Sequence, residues 1–242
     1  MNIIKLPKGN GEFRTIYVPD EASKVKMRAC IPFLENRLES IRTIDVNYAF
    51  QRGRNCLQHA ALHIGFRYSL SLDLCNFFDS LTADLVSDVI PQSIIDICFH
   101  QGVARQGFPS SPAISNLIGL KLDEEITKTL RRYQIQCVYS RYANDMTFSF
   151  NDEYLAEIIP SLVTTEITPL GFQINHKKTR LQCSSNGRRI ICGIGVGDSS
   201  LHVTRKIRRK IRAAVHKGNM RSAKGLSEWA KNIVCHQFSG SY

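Results

Sequence analysis

The chain has 242 residues, 43% hydrophobic and 22% charged, enough to bury one sizeable core or two or three packed subdomains. Lys and Arg number 32 against 21 Asp and Glu, and the formal charge of +11 favours a polyanionic partner, nucleic acid before a membrane surface. No run approaches the roughly 18 consecutive apolar residues of a membrane helix, and "MNIIKLPKGNGEF" lacks a signal-peptide core. The eight cysteines are scattered without a C-x-x-C pair, so buried reduced thiols in a cytoplasmic protein are expected, not zinc or disulfides.

In chain order, "FRTIYVP" (13–19) reads as a strand, followed by a helix over 21–41 that Pro32 is placed to bend. "FRYSLSLDLCNFF" (66–78) holds a strand running into a Phe pair. A helix over 111–133 is predicted from the spacing of Ile114, Leu117, Ile118, Leu122, Ile126 and Leu130. "YSRYANDMTFSF" (139–150) reads as a hairpin: Val138, Ser140 and Tyr142 alternate before a tip at Asn144-Asp145, and Met146, Phe148 and Phe150 alternate after it. Another helix near 152–165, a strand at "FQIN" and a strand pair around 188–203 follow. In "TRKIRRKIRAAVHKG" (204–218), Ile207, Ile211 and Val215 share one face, while Arg205, Lys206, Arg208, Arg209, Lys210 and Arg212 crowd the rest. Cations without interspersed acids repel one another, which favours a phosphate-facing helix over a solvated one.

Two acids stand out, Asp73 after an apolar strand and Asp145 at the hairpin tip. Either alone reads as an ordinary cap or turn residue. With their surroundings the pattern resembles the reverse transcriptase family, specifically the bacterial retron-type and defence-associated branch. "LDLCNFFDSL" is similar to that family's motif A, "QGFPSSPAISNL" to motif B, "YANDMTFS" to motif C, "GFQINHKKTR" to motif D and "RRIICGIGV" to motif E. "GEFRTIYVP" and "YAFQRGRNCLQHAALHIG" match the finger region, so the resemblance spans roughly residues 10–235.

The resemblance implies an α+β right-hand polymerase with an antiparallel palm sheet, fingers and a short helical thumb. Fingers are expected at 1–68 and 81–105, palm at 69–80 and 106–198, and a basic thumb at 199–242. Nucleotidyl transfer needs two divalent cations, here Mg²⁺ with Mn²⁺ as a possible substitute, held by carboxylates that meet from distant positions. Asp73 and Asp145 would ligate them, with the Leu74 carbonyl and Asn144. Arg14, Phe78, Gln106 and Gly107 would hold the nucleotide, Phe78 as the gate against a ribose 2′-OH. Lys178 would be the general acid for pyrophosphate. Arg205, Lys206, Arg208, Arg209 and Arg212 would bind nucleic acid. The implied partners are deoxynucleoside triphosphates, a structured non-coding RNA template, its DNA product and an effector protein in antiphage defence, with no membrane partner.

Three features depart from the family. Asn144 stands where motif C normally has its first Asp, a change expected to cost a rate factor on the order of 10²–10³ or worse. Three explanations stay open: an introduced near-isosteric substitution, a natural enzyme with weak activity or another metal preference, or an RNA-binding pseudo-enzyme. Ile191-Cys192-Gly193 replaces the retron Val-Thr-Gly, and "HAALH" replaces Asn-Ala-x-x-His. His59 and His63 lie four apart without an acid nearby, so packing or RNA contact is expected of them, and Trp229 is expected in the thumb core. Terminal Tyr242 carries a hydroxyl for the alternative of protein-primed or template-independent synthesis.

Overall fold

The computed structural model describes residues 1–8 and 11–235; Tyr242 lies outside them. The chain begins with an antiparallel hairpin, β1 (Asn2–Pro7) and β2 (Phe13–Val18). Helix α1 (Glu21–Ile41) is capped by Asp20, whose carboxylate accepts the Ser23 N–H at 2.9 Å, and it runs through Pro32. Then come α2 (Cys56–Ala61), β3 (Tyr68–Asp73), α3 (Gln92–Cys98) and α4 (Ser111–Arg132). Strands β4 (Val138–Tyr142) and β5 (Asp145–Phe150) form the expected hairpin, followed by α5 (Leu155–Ile167). After β6 (Arg180–Cys183) come β7 (Arg189–Ile191), β8 (Ile194–Val196) and β9 (Leu201–Val203). Helices α6 (Arg205–His216) and α7 (Met220–Cys235) close the chain.

The central sheet has the order β4-β5-β3-β6, and each of its pairings is antiparallel. Period-two alternation gives it two different faces. Leu70, Leu72, Met146 and Phe148, each no more than 2% exposed, pack with Ile114, Leu117, Ile118 and Leu122 of α4 and with Ile159 and Val163 of α5. Full burial of such side chains is worth about 1.5–3 kcal/mol each. The opposite face carries Ser69, Ser71 and Asp73 from β3, and Thr147, Ser149 and Asp145 from β5. One strand thus supplies both a core face and a site face.

A second, smaller core joins Ala60 of α2, Ile191, Ile194, Val196 and Leu201 of the β7-β8-β9 sheet, and Ile233 of α7, with Trp229 packed against it. Several sequence expectations change here. "FQIN" forms no strand: Ile174 makes a single bridge to Leu74. The strand pair near 188–203 is a three-stranded sheet, β7-β8-β9. On β4, Tyr139 and Arg141 face the main core beside Phe148 and Met146, while Ser140 turns to the other side. Val215 is 52% exposed and Ala214 is half-buried, so α6 turns a narrower apolar stripe inward than expected.

Candidate active site

Asp73 ends β3 directly opposite Asp145, which opens β5, so the last rung of the sheet brings two carboxylates from distant positions together. The two-residue turn between β4 and β5 is Ala143-Asn144, with Ala143 at φ 58, a left-handed conformation unusual for a residue with a Cβ. The Leu74 N–H donates to the Asn144 carbonyl at 3.0 Å, tying motif C to the residue after Asp73. On the other side, the Asn175 N–H donates to the Asp73 carbonyl at 2.7 Å and the Cys75 N–H to the Gln173 carbonyl at 2.8 Å. Segment 173–175 is thereby pinned beside β3, and it delivers Lys178.

The Asp73 carboxylate is fully engaged. Its Oδ1 accepts from Lys178 Nζ at 2.8 Å and, at the limit of a hydrogen bond, from Asn175 Nδ2 at 3.5 Å. Its Oδ2 accepts from the side-chain amide of Asn144. Burial, and then the facing Asp73 carboxylate, push the Asp145 carboxyl above the usual carboxylate range, against the pull of Lys178. Two carboxylates with no third acid suit one hard divalent cation, and among the described residues no three His, Cys, Asp or Glu are grouped to hold a metal. The residues therefore fit a cation at Asp73 and Asp145, with the Asn144 amide standing where a third anionic ligand would add charge.

A cleft of about 1250 Å³ opens over this polar face, and among the described residues Asp73 and Asp145 are the only acids lining it. Its walls include Lys177, Lys178, Arg180, Arg188, Arg205, Lys206, Arg208 and Lys210. The structure thus divides the basic helix: Arg205, Lys206 and Arg208 line the cleft, whereas Arg209 and Arg212 do not. Lys177, Arg180, Arg188 and Lys210 line it as well. Their signal in the sequence was only basic character next to recognised motifs.

Arg14 is solvent-exposed on β2 and does not line the cleft. Its strand is nonetheless docked on motif B, because the Tyr17 N–H donates to the Gln106 carbonyl at 2.8 Å. A Cβ on Gly107, whose φ is +107, would lie 2.4 Å from the Tyr17 carbonyl oxygen, so glycine is required for this contact. Phe77 is buried in the core, and Phe78 is half-buried with its ring centroid 5.5 Å away.

Residues 6–216 match the family described as reverse transcriptase (RNA-dependent DNA polymerase). The chain belongs to the reverse transcriptase family. Its relatives are of retron type: it is 30% identical over 87% of its length to the retron Mx65 reverse transcriptase of Myxococcus xanthus, covering 54% of that protein. It is also 30% identical over 89% of its length to the retron Ec83 reverse transcriptase of Escherichia coli, covering 74% of it. The chain thus spans about half the length of the first of these relatives. In fold it is similar to a telomerase from Candida albicans, with a TM-score of 0.62 at 11% identity over 84% of this chain and 45% of that one. The fold is that of a right-hand polymerase, with helices and antiparallel sheets as the sequence implied.

Retron reverse transcriptases usually carry Val-Thr-Gly at the turn that is Ile191-Cys192-Gly193 in this chain. Here Cys192 (φ 48) and Gly193 (φ 79) form the two-residue turn between β7 and β8, and Cys192 Sγ lies 3.3 Å from Nδ1 of His59. Burial first, and Asp145 next, push the Cys192 thiol up to about 12, which keeps it protonated. His63 bridges Ser149 Oγ at 3.0 Å and Ser140 Oγ at 2.8 Å and is fully buried, as is His59. Both histidines are packing residues. RNA contact, the other expectation for them, is closed off by burial.

Proposed function

We propose that this chain is an RNA-directed DNA polymerase of retron type that extends a primer on a structured non-coding RNA with deoxynucleoside triphosphates. One observation carries the reading: among the described residues, two facing carboxylates are the sole acids in a cleft whose walls carry eight Lys and Arg side chains. A polyanionic template–product duplex suits those walls, and the acids mark the place where cations are wanted. A divalent cation, Mg²⁺ or Mn²⁺, supplies charge neutralisation of the triphosphate and of the attacking 3′ oxygen when bound. Asp73 and Asp145 would hold it with the Leu74 carbonyl. Lys178, within reach of Asp73, would give its proton to the departing pyrophosphate. Phe78 would exclude a ribose 2′-OH, and Gln106, Gly107 and Arg14 would position the nucleotide. Fingers, palm and a short thumb are assigned to 1–68 with 81–105, to 69–80 with 106–198, and to 199–242. A role in antiphage defence with an effector partner is proposed from the retron kinship.

A second reading rests on Asn144. Its amide donates to Asp73 instead of adding a third carboxylate, which favours an RNA-binding scaffold with polymerisation weakened or lost. Deoxynucleotide incorporation on a primed RNA template, with Mg²⁺ or Mn²⁺, separates the two. The polymerase reading expects weak extension by this chain, a gain on the order of 10² for Asn144→Asp, and none for Asp73→Ala. If neither the chain nor Asn144→Asp extends the primer while RNA is still bound, the scaffold reading stands.

A further inference from the structure

We propose that Arg141 is a positioning residue for the catalytic hairpin: its buried guanidinium clamps the left-handed turn at Ala143 and thereby fixes how Asn144 and Asp145 face Asp73. The side chains of Arg141 and Asp123 are 1% and 2% exposed. They pair through two bonds, Nε to Oδ1 at 2.8 Å and Nη2 to Oδ2 at 2.7 Å. The Tyr139 hydroxyl donates to the same carboxylate at 2.6 Å. The remaining terminal nitrogen, Nη1, donates to the Ala143 carbonyl at 3.0 Å.

Stability alone is a poor reason for this arrangement, because apolar side chains of similar volume commonly replace a buried ion pair without loss. What an apolar group cannot do is hold the Ala143 carbonyl. A residue with a Cβ at φ 58 is disfavoured, and this turn has no glycine to relieve it. The guanidinium compensates from inside the sheet, and Arg141 is held from two sides, by α4 and by the segment 46–48. Asp123 comes from α4. The Arg141 N–H donates to the Val46 carbonyl at 2.8 Å, and its carbonyl accepts from the Tyr48 N–H at 2.9 Å. Space is made by Gly119, where a Cβ would lie 2.2 Å from Arg141 Nη2. The turn carrying Asn144 and Asp145 is thus held by a planar three-nitrogen fork that lysine cannot reproduce.

The test compares Arg141→Lys, Ala143→Gly and the double variant by hydrogen-exchange mass spectrometry, with primer extension on RNA alongside. Arg141→Lys keeps the charge beside Asp123 and loses the clamp. Exchange should rise about tenfold in peptides covering 142–147 and at the Leu74 amide, while α4 keeps its protection. Ala143→Gly removes the strain and should cancel most of that rise in the double variant. Gly119→Ala offers a second route, since its methyl displaces the guanidinium without changing any charge, and it should loosen the same peptides. In extension assays kcat should fall with little change in the KM for deoxynucleotide, again recovered by Ala143→Gly. The kinetic arm rests on the polymerase reading and the exchange arm does not, so their failures are distinguishable. An unchanged hairpin tip in Arg141→Lys, an equal rise across α4 and the whole sheet, or no compensation by Ala143→Gly would overturn the proposal.

Discussion

Both oxygens of Asp73 are taken by nitrogen donors, Lys178 on one and Asn144 on the other, so a cation arriving at this carboxylate has to displace them. The Lys178 side chain is 63% exposed, so its ion pair is screened and worth well under 1 kcal/mol of competition. Lys178→Ala should therefore tighten Mn²⁺ binding, read by electron paramagnetic resonance, by about two- to threefold. Lys177→Ala removes the same charge from the same cleft without touching Asp73 and should change it less. Equal effects would mean that only the general field matters and that the contact does not. The acids of this site stood out in the sequence through the resemblance of their surroundings to motifs A and C, since local pattern alone left each a cap or turn residue. The Arg141–Asp123 pair did not stand out. Asp123 sits in "KLDEE", where it reads as one more helix-surface acid, and nothing local says that it turns inward to a strand 18 residues away.

Among the elements, the long helices were read nearly to their ends: α4 is defined by its apolar repeat, and α1 starts at the Asp20 cap. β6, four residues with no fully buried side chain, has no pattern of its own and exists because β3 offers it an edge. The "FQIN" segment shows the converse. Its alternation suggests a strand, but Phe172 N–H donates back to the Ile167 carbonyl, Asn175 N–H to the Asp73 carbonyl, and the Gln173 carbonyl accepts from Cys75, so no ladder forms. Helix α6 was legible as basic, though not by side, because a helix so dense in cations has no polar face to contrast with them. Its side is set by packing on α7, which turns Arg208 to the cleft and Arg209 away. Charge reversal at Arg208 should weaken RNA binding and reduce the slope of log affinity against log salt by about one, the share of a single phosphate contact. The same reversal at Arg209 should move the slope far less. Filter-binding titrations over a salt series check both, and indistinguishable slopes would mean that α6 acts as a diffuse charge.

At the scale of the whole molecule, two cores meet across a polar seam, and the seam touches the site. His63 joins β4 and β5 through Ser140 and Ser149, and Ser69 joins Ser149 at 2.7 Å. Arg189 of the second sheet donates to Ser69 at 3.3 Å and to the Gly197 carbonyl at 3.1 Å. His59 is stacked between Tyr48 and Tyr142, with centroids 5.8 Å away on each side. Tyr142 lies two residues before Asn144, so the packing of His59 reaches the turn between β4 and β5. Burial lowers His59 from 6.5 to about 4 and holds His63 well below its usual range. The direction of the consequence is fixed by linkage. Between pH 6.5 and about 4 the unfolded chain binds protons that the folded chain refuses at His59, so stability is intact above pH 6.5 and is lost as pH falls through this window. At about 1.4 kcal/mol per pH unit, His59 alone accounts for a loss of up to about 3 kcal/mol. Urea midpoints measured from pH 7 to pH 4 should fall accordingly. His59→Phe keeps a ring in the tyrosine stack and removes the titration, so its profile should be flatter than that of the parent chain by this amount. An identical slope in the variant would move the acid sensitivity to His63 or to the carboxylates and would uncouple the seam from the His59 stack.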